Sequence, residues 1–312
     1  MLADANVFIE STKTGRADAY GLGYDAVREV APNIIYCSIT GFGEGSPYQN
    51  LPAWDILVQA MSGHISVTGE RDGPPLWSGI PTGDLIAGMY AVQSILAALY
   101  AKERGDINGE WIEVPMLDAA ISWLSARAGH TFGTGDPFPR LGTGHPTIVP
   151  FGVFECADAR LVIAAGTDSL WREFCVALEL DALSEDERFD TLPGRVENRG
   201  ELEEQLDAIL GEYPLDTLLA RPHANDIPAG PIYDTETVWD DEHVRQRGLH
   251  RTMPRESRED ADVIDHPVHF RSLVTELRTP PEELGQSTDD VLASHGYDTD
   301  EIAELRDAEI VE

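Results

Sequence analysis

The 312-residue chain carries 56 Asp and Glu against 22 Lys and Arg, a formal net charge of −34, with 42% hydrophobic residues. A body this acidic is repelled by the polyanionic backbone of nucleic acid and by an anionic bilayer surface, which argues against both as partners. The acidic residues run along the whole chain instead of forming a tail; this argues against disorder and suits a solvent of very high salt, where repulsion is screened.

The apolar content is enough for one large domain or two smaller ones. Residues 6–9 (NVFI) predict a strand, 24–30 a helix, and 33–40 (NIIYCSIT), rich in β-branched residues, a second strand. A helix is expected over 53–61 and a long one over 84–102, apolar nearly all round and therefore expected to be buried. A strand at 110–114 and a helix at 117–127 follow. Strands separated by helices at this pace imply an α/β domain, residues 1–135, with a parallel sheet covered on its faces. Residues 130–145 hold four glycines and two prolines and read as a linker. A hairpin at 151–155 and 161–165, then helices at 169–178, 198–210 and 215–219, predict a smaller α+β domain within 136–250. A loop at 226–233 (DIPAGPIY), a short helix near 241–247 and two acidic amphipathic helices at 287–295 and 299–306 complete the chain.

Cys37, Cys156 and Cys175 are odd in number and far apart, which indicates no disulfide frame. His266 and His269 have no nearby cysteine to complete a zinc site, so no metal is expected. The opening residues MLADAN lack a basic region followed by an apolar stretch, and the expectation is a cytoplasmic protein without a signal peptide. The most apolar segment, 85–101, is interrupted by Gly88, Gln93 and Ser94 and reads as too short for a membrane span.

Asp84 is the candidate for chemistry. It ends the segment SGIPTGD just before the long apolar helix, where an Asp is a preferred N-cap. The cap and a catalytic role are compatible. The orphan N–H groups of a helix start could steady an oxyanion beside the carboxylate, and Gly79 and Gly83 admit close approach of a bulky thioester. A carboxylate so placed can attack an acyl carbon and hold it as an anhydride. The turn at 41–45 (GFGEG) is a weak nucleotide signal, since neither GxGxxG nor a Walker lysine occurs. Lys13, one of only two lysines, follows a strand end in STKTG, where phosphate binding and a plain solvated loop are both open. Asp55, after Trp54, reads as a first-turn acid favoured by the helix dipole. No GxSxG occurs, so no Ser–His–Asp triad is indicated.

In order along the chain, the segments ANVFIE (5–10), GLGY (21–24), NIIYCSITGFG (33–43), AWDILVQAMSG (53–63), GIPTGDLIAG (79–88), HPTIVPFGVF (145–154), IPAGP (227–231) and GQSTDDVL (285–292) resemble the family III CoA-transferases. This group includes formyl-CoA and crotonobetainyl-CoA transferases. The resemblance implies a Rossmann-like large domain with a parallel sheet plus a smaller α+β domain, with residues 251–312 returning to the large one. It implies Asp84 as the nucleophile that forms a mixed anhydride while CoA stays bound, after which a second carboxylic acid takes the CoA. CoA contacts are implied at Ser11, Thr12 and Lys13 and around Ala53 and Trp54. No cofactor is held permanently; a coenzyme A thioester is the substrate. The partners implied are an acyl-CoA and a small carboxylic acid, by analogy succinyl-CoA with a C4 or C5 acid, and a second copy interlocked as a homodimer.

The sequence departs from the family pattern in two ways. It begins where that pattern is already under way, so a chain shortened at its N-terminal side is expected. The family's Asn-Phe-Arg-Pro-Gly loop is here Ser11-Thr12-Lys13-Thr14-Gly15, and an arginine common just beyond is replaced near Ala19, which predicts altered CoA affinity. A catalytically silent CoA-binding or partner subunit is therefore the alternative. The α-methylacyl-CoA racemases share the fold but carry a His-Asp pair where this chain has Trp54-Asp55; without that histidine no base for an α-carbon proton is evident.

Overall fold

The computed structural model describes residues 2–255, 258–273 and 275–312, the side chain of His223 excepted. Two compact units divide the chain, Met1–Gly230 and Pro231–Glu312.

The first unit opens with β1 (Val7–Glu10), the single turn α1 (Arg16–Ala19), α2 (Tyr24–Val30) and β2 (Ile35–Thr40). Then come α3 (Asp55–Met61), the short α4 (His64–Val67), the long α5 (Thr82–Glu103) and β3 (Glu110–Pro115). The three strands form a parallel sheet in the order β1-β2-β3, with Val7 opposite Ile35 and Ile35 opposite Glu110. Strand alternation sends Ile35, Cys37 and Val114 to one face, where they meet Ile86, Ala87, Ala91, Ile95 and Ala98 of α5. On the other face Tyr36 packs with Val27, Ala31 and Ile34, and Tyr36 donates its hydroxyl to the Leu22 carbonyl at 2.9 Å. Helix α5 crosses back over the sheet: Lys102, in its last turn, donates to the Asn33 carbonyl just before β2, at 2.6 Å. Its first turn therefore lies at the carboxyl ends of the strands, where α/β proteins place their ligands.

Helix α5 is buried on one side only, contrary to the expectation from its composition. Leu85, Met89, Val92, Leu96 and Tyr100 recur every three or four residues, and each is more than half exposed. With 22 residues and a mean hydropathy of 1.4, α5 is also long and apolar enough by length and composition to cross a membrane, where the sequence reading had it too short. The interruptions at Gly88, Gln93 and Ser94 lie inside a helix that begins earlier and ends later than expected.

The helix expected over 117–127 is two. Helix α6 (Met116–Ser122) ends before Ser125, which has a positive φ (46°), and α7 (Ala126–Thr134) starts anew there and runs on into the segment expected as linker. The smaller core then follows closely on expectation: β4 (Phe151–Glu155) and β5 (Arg160–Ala164) pair antiparallel, with β6 (Ala229–Pro231) beside β5. Around them lie α8 (Asp168–Leu178), α9 (Asp181–Ser184), α10 (Leu192–Glu197), α11 (Arg199–Leu210) and α12 (Leu215–His223). Their apolar sides close a second core on Trp171, Phe174, Phe189, Leu202 and Leu206.

In the second unit, α13 (Glu242–Arg247) precedes a two-stranded antiparallel sheet of β7 (His250–Met253) and β8 (Ala261–Ile264). These strands are only four residues each and mostly exposed, and they escaped the sequence reading for that reason. The tail helices are α14 (Thr288–Ser294) and α15 (Thr299–Asp307), the latter started by a capping box in which Asp298 and Glu301 serve each other's backbone.

One charge is fully inside the smaller core. Arg195 donates to the Val149 carbonyl at 2.8 Å, to the Phe189 carbonyl at 3.0 Å and to Asp168 at 2.9 Å, and its guanidinium lies over the Trp171 ring. Removing it strands two buried carbonyls and opens a cavity. Arg195→Ala is expected to lower unfolding stability by about 3 kcal/mol, read as a shift of the urea midpoint.

Candidate functional site

The site is built at the start of α5. Asp84 is the third residue of the helix and not its N-cap; the cap position is Pro81, which offers no side-chain acceptor. The expected cap role passes to another residue. Asp55, the first residue of α3 and 9% exposed, accepts the Gly83 N–H at 2.8 Å. Asp55 also accepts Trp77 Nε1 at 2.9 Å and Gln59 Nε2 at 2.7 Å, so all its hydrogen bonds stabilise a buried carboxylate.

Gln59, one turn further along α3, donates to the Ile80 carbonyl at 3.2 Å and accepts the Ser78 N–H at 3.3 Å. Gly83 is required by this packing: a Cβ there would stand 3.0 Å from the Asp55 carboxylate and 3.1 Å from Val58. The same holds at Gly41, after β2, where a Cβ would overlap that of Ala53. The half-buried Ala53 stands against Gly41 at the end of β2, and the exposed Trp54 leads from it into Asp55 and α3.

Asp84 itself is exposed, and among the described residues its carboxylate has no hydrogen-bond or ion-pair partner. Desolvation of its inner side, and then the negative charge of Asp55, hold its pKa above the ordinary carboxylate value. Three of the first-turn N–H groups expected to steady an oxyanion are already engaged. Thr82 N–H goes to the Ile80 carbonyl, Gly83 N–H to Asp55 and Leu85 N–H to the Pro81 carbonyl.

Ser11, Thr12 and Lys13 lie at the same carboxyl edge, directly after β1. Ser11 and Lys13 are exposed, and among the described residues the Lys13 ammonium has no ion pair. Thr12 is engaged: its N–H and hydroxyl both donate to Glu10, whose other oxygen accepts the Ser38 hydroxyl. The glycine turn at 41–45 has no donors to spare for a phosphate along Gly43, Glu44 and Gly45, which are bonded to Thr40, Glu113 and Gln49.

A cavity of about 550 Å³ lies elsewhere, on the sheet face away from α5. It includes Thr12 but is lined by Glu10, Asp18, Asp25, Glu44 and Glu113, an acidic wall that repels phosphate, and Asp84 does not reach it. The described residues contain no cluster of three or more metal-ligating side chains. Trp77, Gln59 and the clamping role of Asp55 escaped the sequence reading. The available signal was two polar residues four apart in the otherwise apolar stretch WDILVQAM.

Comparison with known proteins identifies the family and the fold. The sequence model described as CoA-transferase family III matches residues 1–288. A succinate–glutarate CoA-transferase of Agrobacterium fabrum is 34% identical over 294 residues, covering 94% of this chain and 73% of that protein. A succinyl-CoA:mesaconate CoA-transferase of Haloarcula marismortui is 34% identical over 251 residues, 78% of this chain and 62% of that one. The crystal structure of a CAIB/BAIF family protein from Brucella suis superposes with a TM-score of 0.85 at 31% identity, covering 94% of this chain and 76% of that chain. The match of the family model over most of the chain and the likeness of fold lead to one conclusion: the chain belongs to CoA-transferase family III.

Proposed function

We propose that this chain transfers coenzyme A from an acyl-CoA thioester to a carboxylic acid, with Asp84 as the covalently acylated residue. The observation that carries the reading is the Asp84 carboxylate itself: unpartnered, open to solvent and raised in pKa, on a turn held at the carboxyl edge of a parallel sheet. An Asp84 oxygen bonds to the acyl carbon, the C–S bond breaks, and the electron pair leaves on the CoA thiolate, giving a mixed anhydride. The acceptor carboxylate attacks the aspartyl carbonyl and expels the donor acid, forming a second anhydride. The retained thiolate then attacks the acceptor's acyl carbon, and Asp84 returns as a carboxylate. Exposed Trp54, Ile80 and Leu85 offer apolar surface for the thioester arm, and Lys13 a cation for a phosphate. The relatives named for succinyl-CoA or succinate with glutarate or mesaconate support a small dicarboxylate as acceptor.

A homodimer is part of the same proposal, supported by the apolar stripe of α5 that this chain leaves uncovered. Light scattering at molar salt is expected to give twice the chain mass. The double variant Met89→Glu, Leu96→Glu is expected to shift it to the monomer, and a monomeric parent chain would sink the dimer.

The alternative, a subunit that binds CoA without turnover, is favoured by one observation: Glu10 already occupies the donors of Thr12. Mass spectrometry after incubation with succinyl-CoA, with hydroxylamine trapping, separates the two. The expected result is modification at Asp84 that is lost in Asp84→Ala. The rate should fall with decreasing pH through a pKa above that of an ordinary Asp, because only the carboxylate attacks. Thermal stabilisation by CoA with no adduct at Asp84 would favour the silent subunit.

A further inference from the structure

The Asp84 carboxylate makes no contact that orients it, so its position depends on the backbone of the turn that carries it. That turn has an unusual support. Asp55 and Gln59 are 9% and 1% exposed, and apart from the bond between them, every hydrogen bond of these two side chains goes to the segment 77–83. Trp77 Nε1, Ser78 N–H, the Ile80 carbonyl and Gly83 N–H are all taken up by one side of α3. Apolar residues of similar volume would fill the same space without the cost of burying a carboxylate and an amide. What they could not supply is a fixed address for each backbone group on the way into α5.

We propose that Asp55 is a positioning residue for Asp84: its carboxylate, held by Gln59 and Trp77, clamps the Gly83 N–H and fixes the turn from which Asp84 reaches the thioester. The inference rests on the reading of Asp84 as the acylated residue. Asp55 touches no reacting atom; it acts through the backbone of Gly83. The like charge of Asp55 favours the same step. The repulsion it exerts on the Asp84 carboxylate disappears when Asp84 becomes a neutral anhydride.

Asp55→Asn is the test, because the amide keeps an oxygen for the Gly83 N–H but sets an NH2 group against the donors of Trp77 and Gln59. Trp77→Phe is the second variant; it removes one arm of the clamp and keeps the Asp55 charge. Single-turnover acylation by succinyl-CoA is expected to slow about 100-fold in Asp55→Asn and about tenfold in Trp77→Phe. Affinity for the thioester is expected to stay within about threefold of the parent, and the melting transition to stay cooperative. In the free protein, the amides of Ser78 and Gly83 are expected to exchange at least about ten times faster in both variants, with exchange elsewhere unchanged. Unchanged amide exchange and acylation in both variants would overturn the proposal. A fall of thioester affinity and melting temperature in step with the rate would do the same, since that marks a merely structural residue. If the parent chain is never acylated at Asp84 while both variants loosen the turn, the clamp stands and the nucleophile assignment fails.

Discussion

The hydrogen bond from Gly83 N–H to the Asp55 carboxylate is the contact on which the carboxyl edge of the sheet depends. It joins the first turns of two packed helices, α3 and α5, that do not follow one another directly in the chain. Behind it stands a second close approach, Gly41 against Ala53, which ties the start of α3 to the end of β2. Two glycines thus make a path from a strand end to the candidate nucleophile in which the Ala53 methyl and the Asp55 carboxylate are the side chains that bridge. The path is short and its bonds are buried or nearly so, which is the condition for holding a carboxylate to within a fraction of an ångström of a working position.

Much of this was legible in the residues. The β-branched run 33–40 and the apolar helix before 110–114 prescribe a parallel βαβ unit, and Asp84 stands at the helix start because Pro81 and Gly83 flank a turn. The cap was misassigned because local pattern cannot register a partner 28 residues away: an Asp near a helix start satisfies a nearby N–H unless a distant carboxylate already does. Likewise Asp55 has the look of a dipole-favoured acid, and only the packing of Trp77 and Gln59 around it reveals a buried acceptor. The break at Ser125 has no Gly or Pro to announce it, and β7 and β8, at four residues each, are too short for an alternation to be read. Thr12 shows the same limit from the other side. Its residue type suits a phosphate contact, yet Glu10, two residues earlier, takes both of its donors.

Helix α5 divides its residues in an uncommon way. Ala87, Ala91 and Ala98, with Ile86 and Ile95, face the sheet, while the bulkier Leu85, Met89, Leu96 and Tyr100 face out. Small side chains let the helix settle close to β2 and β3, which brings its first turn within reach of α3. The cost is an exposed apolar ridge running from Leu85, next to Asp84, to Tyr100. Covering a large side chain of this kind contributes roughly 1.5–3 kcal/mol, so whatever covers the ridge stabilises the helix that presents Asp84. In the proposed homodimer, assembly and site geometry would therefore share one element.

The net charge of −34 sets a second condition on the proposed chemistry, because coenzyme A brings phosphates to a polyanionic body. Long-range repulsion of this kind is erased at molar salt, where the screening length is about 3 Å, whereas a contact between Lys13 and a phosphate persists. Affinity must then come from contacts at the carboxyl edge and not from the field of the whole protein. The distribution of charge fits that requirement. Among the described residues Lys13 has no ion pair at this edge, and the only other lysine, Lys102, is spent at the far end of α5 on the Asn33 carbonyl. The carboxylates lining the large cavity on the opposite face of the sheet turn phosphate away from that opening. In the proposed chemistry, an acidic surface of this kind leaves recognition of the phosphates to individual cations, and Lys13 is the one offered directly after β1.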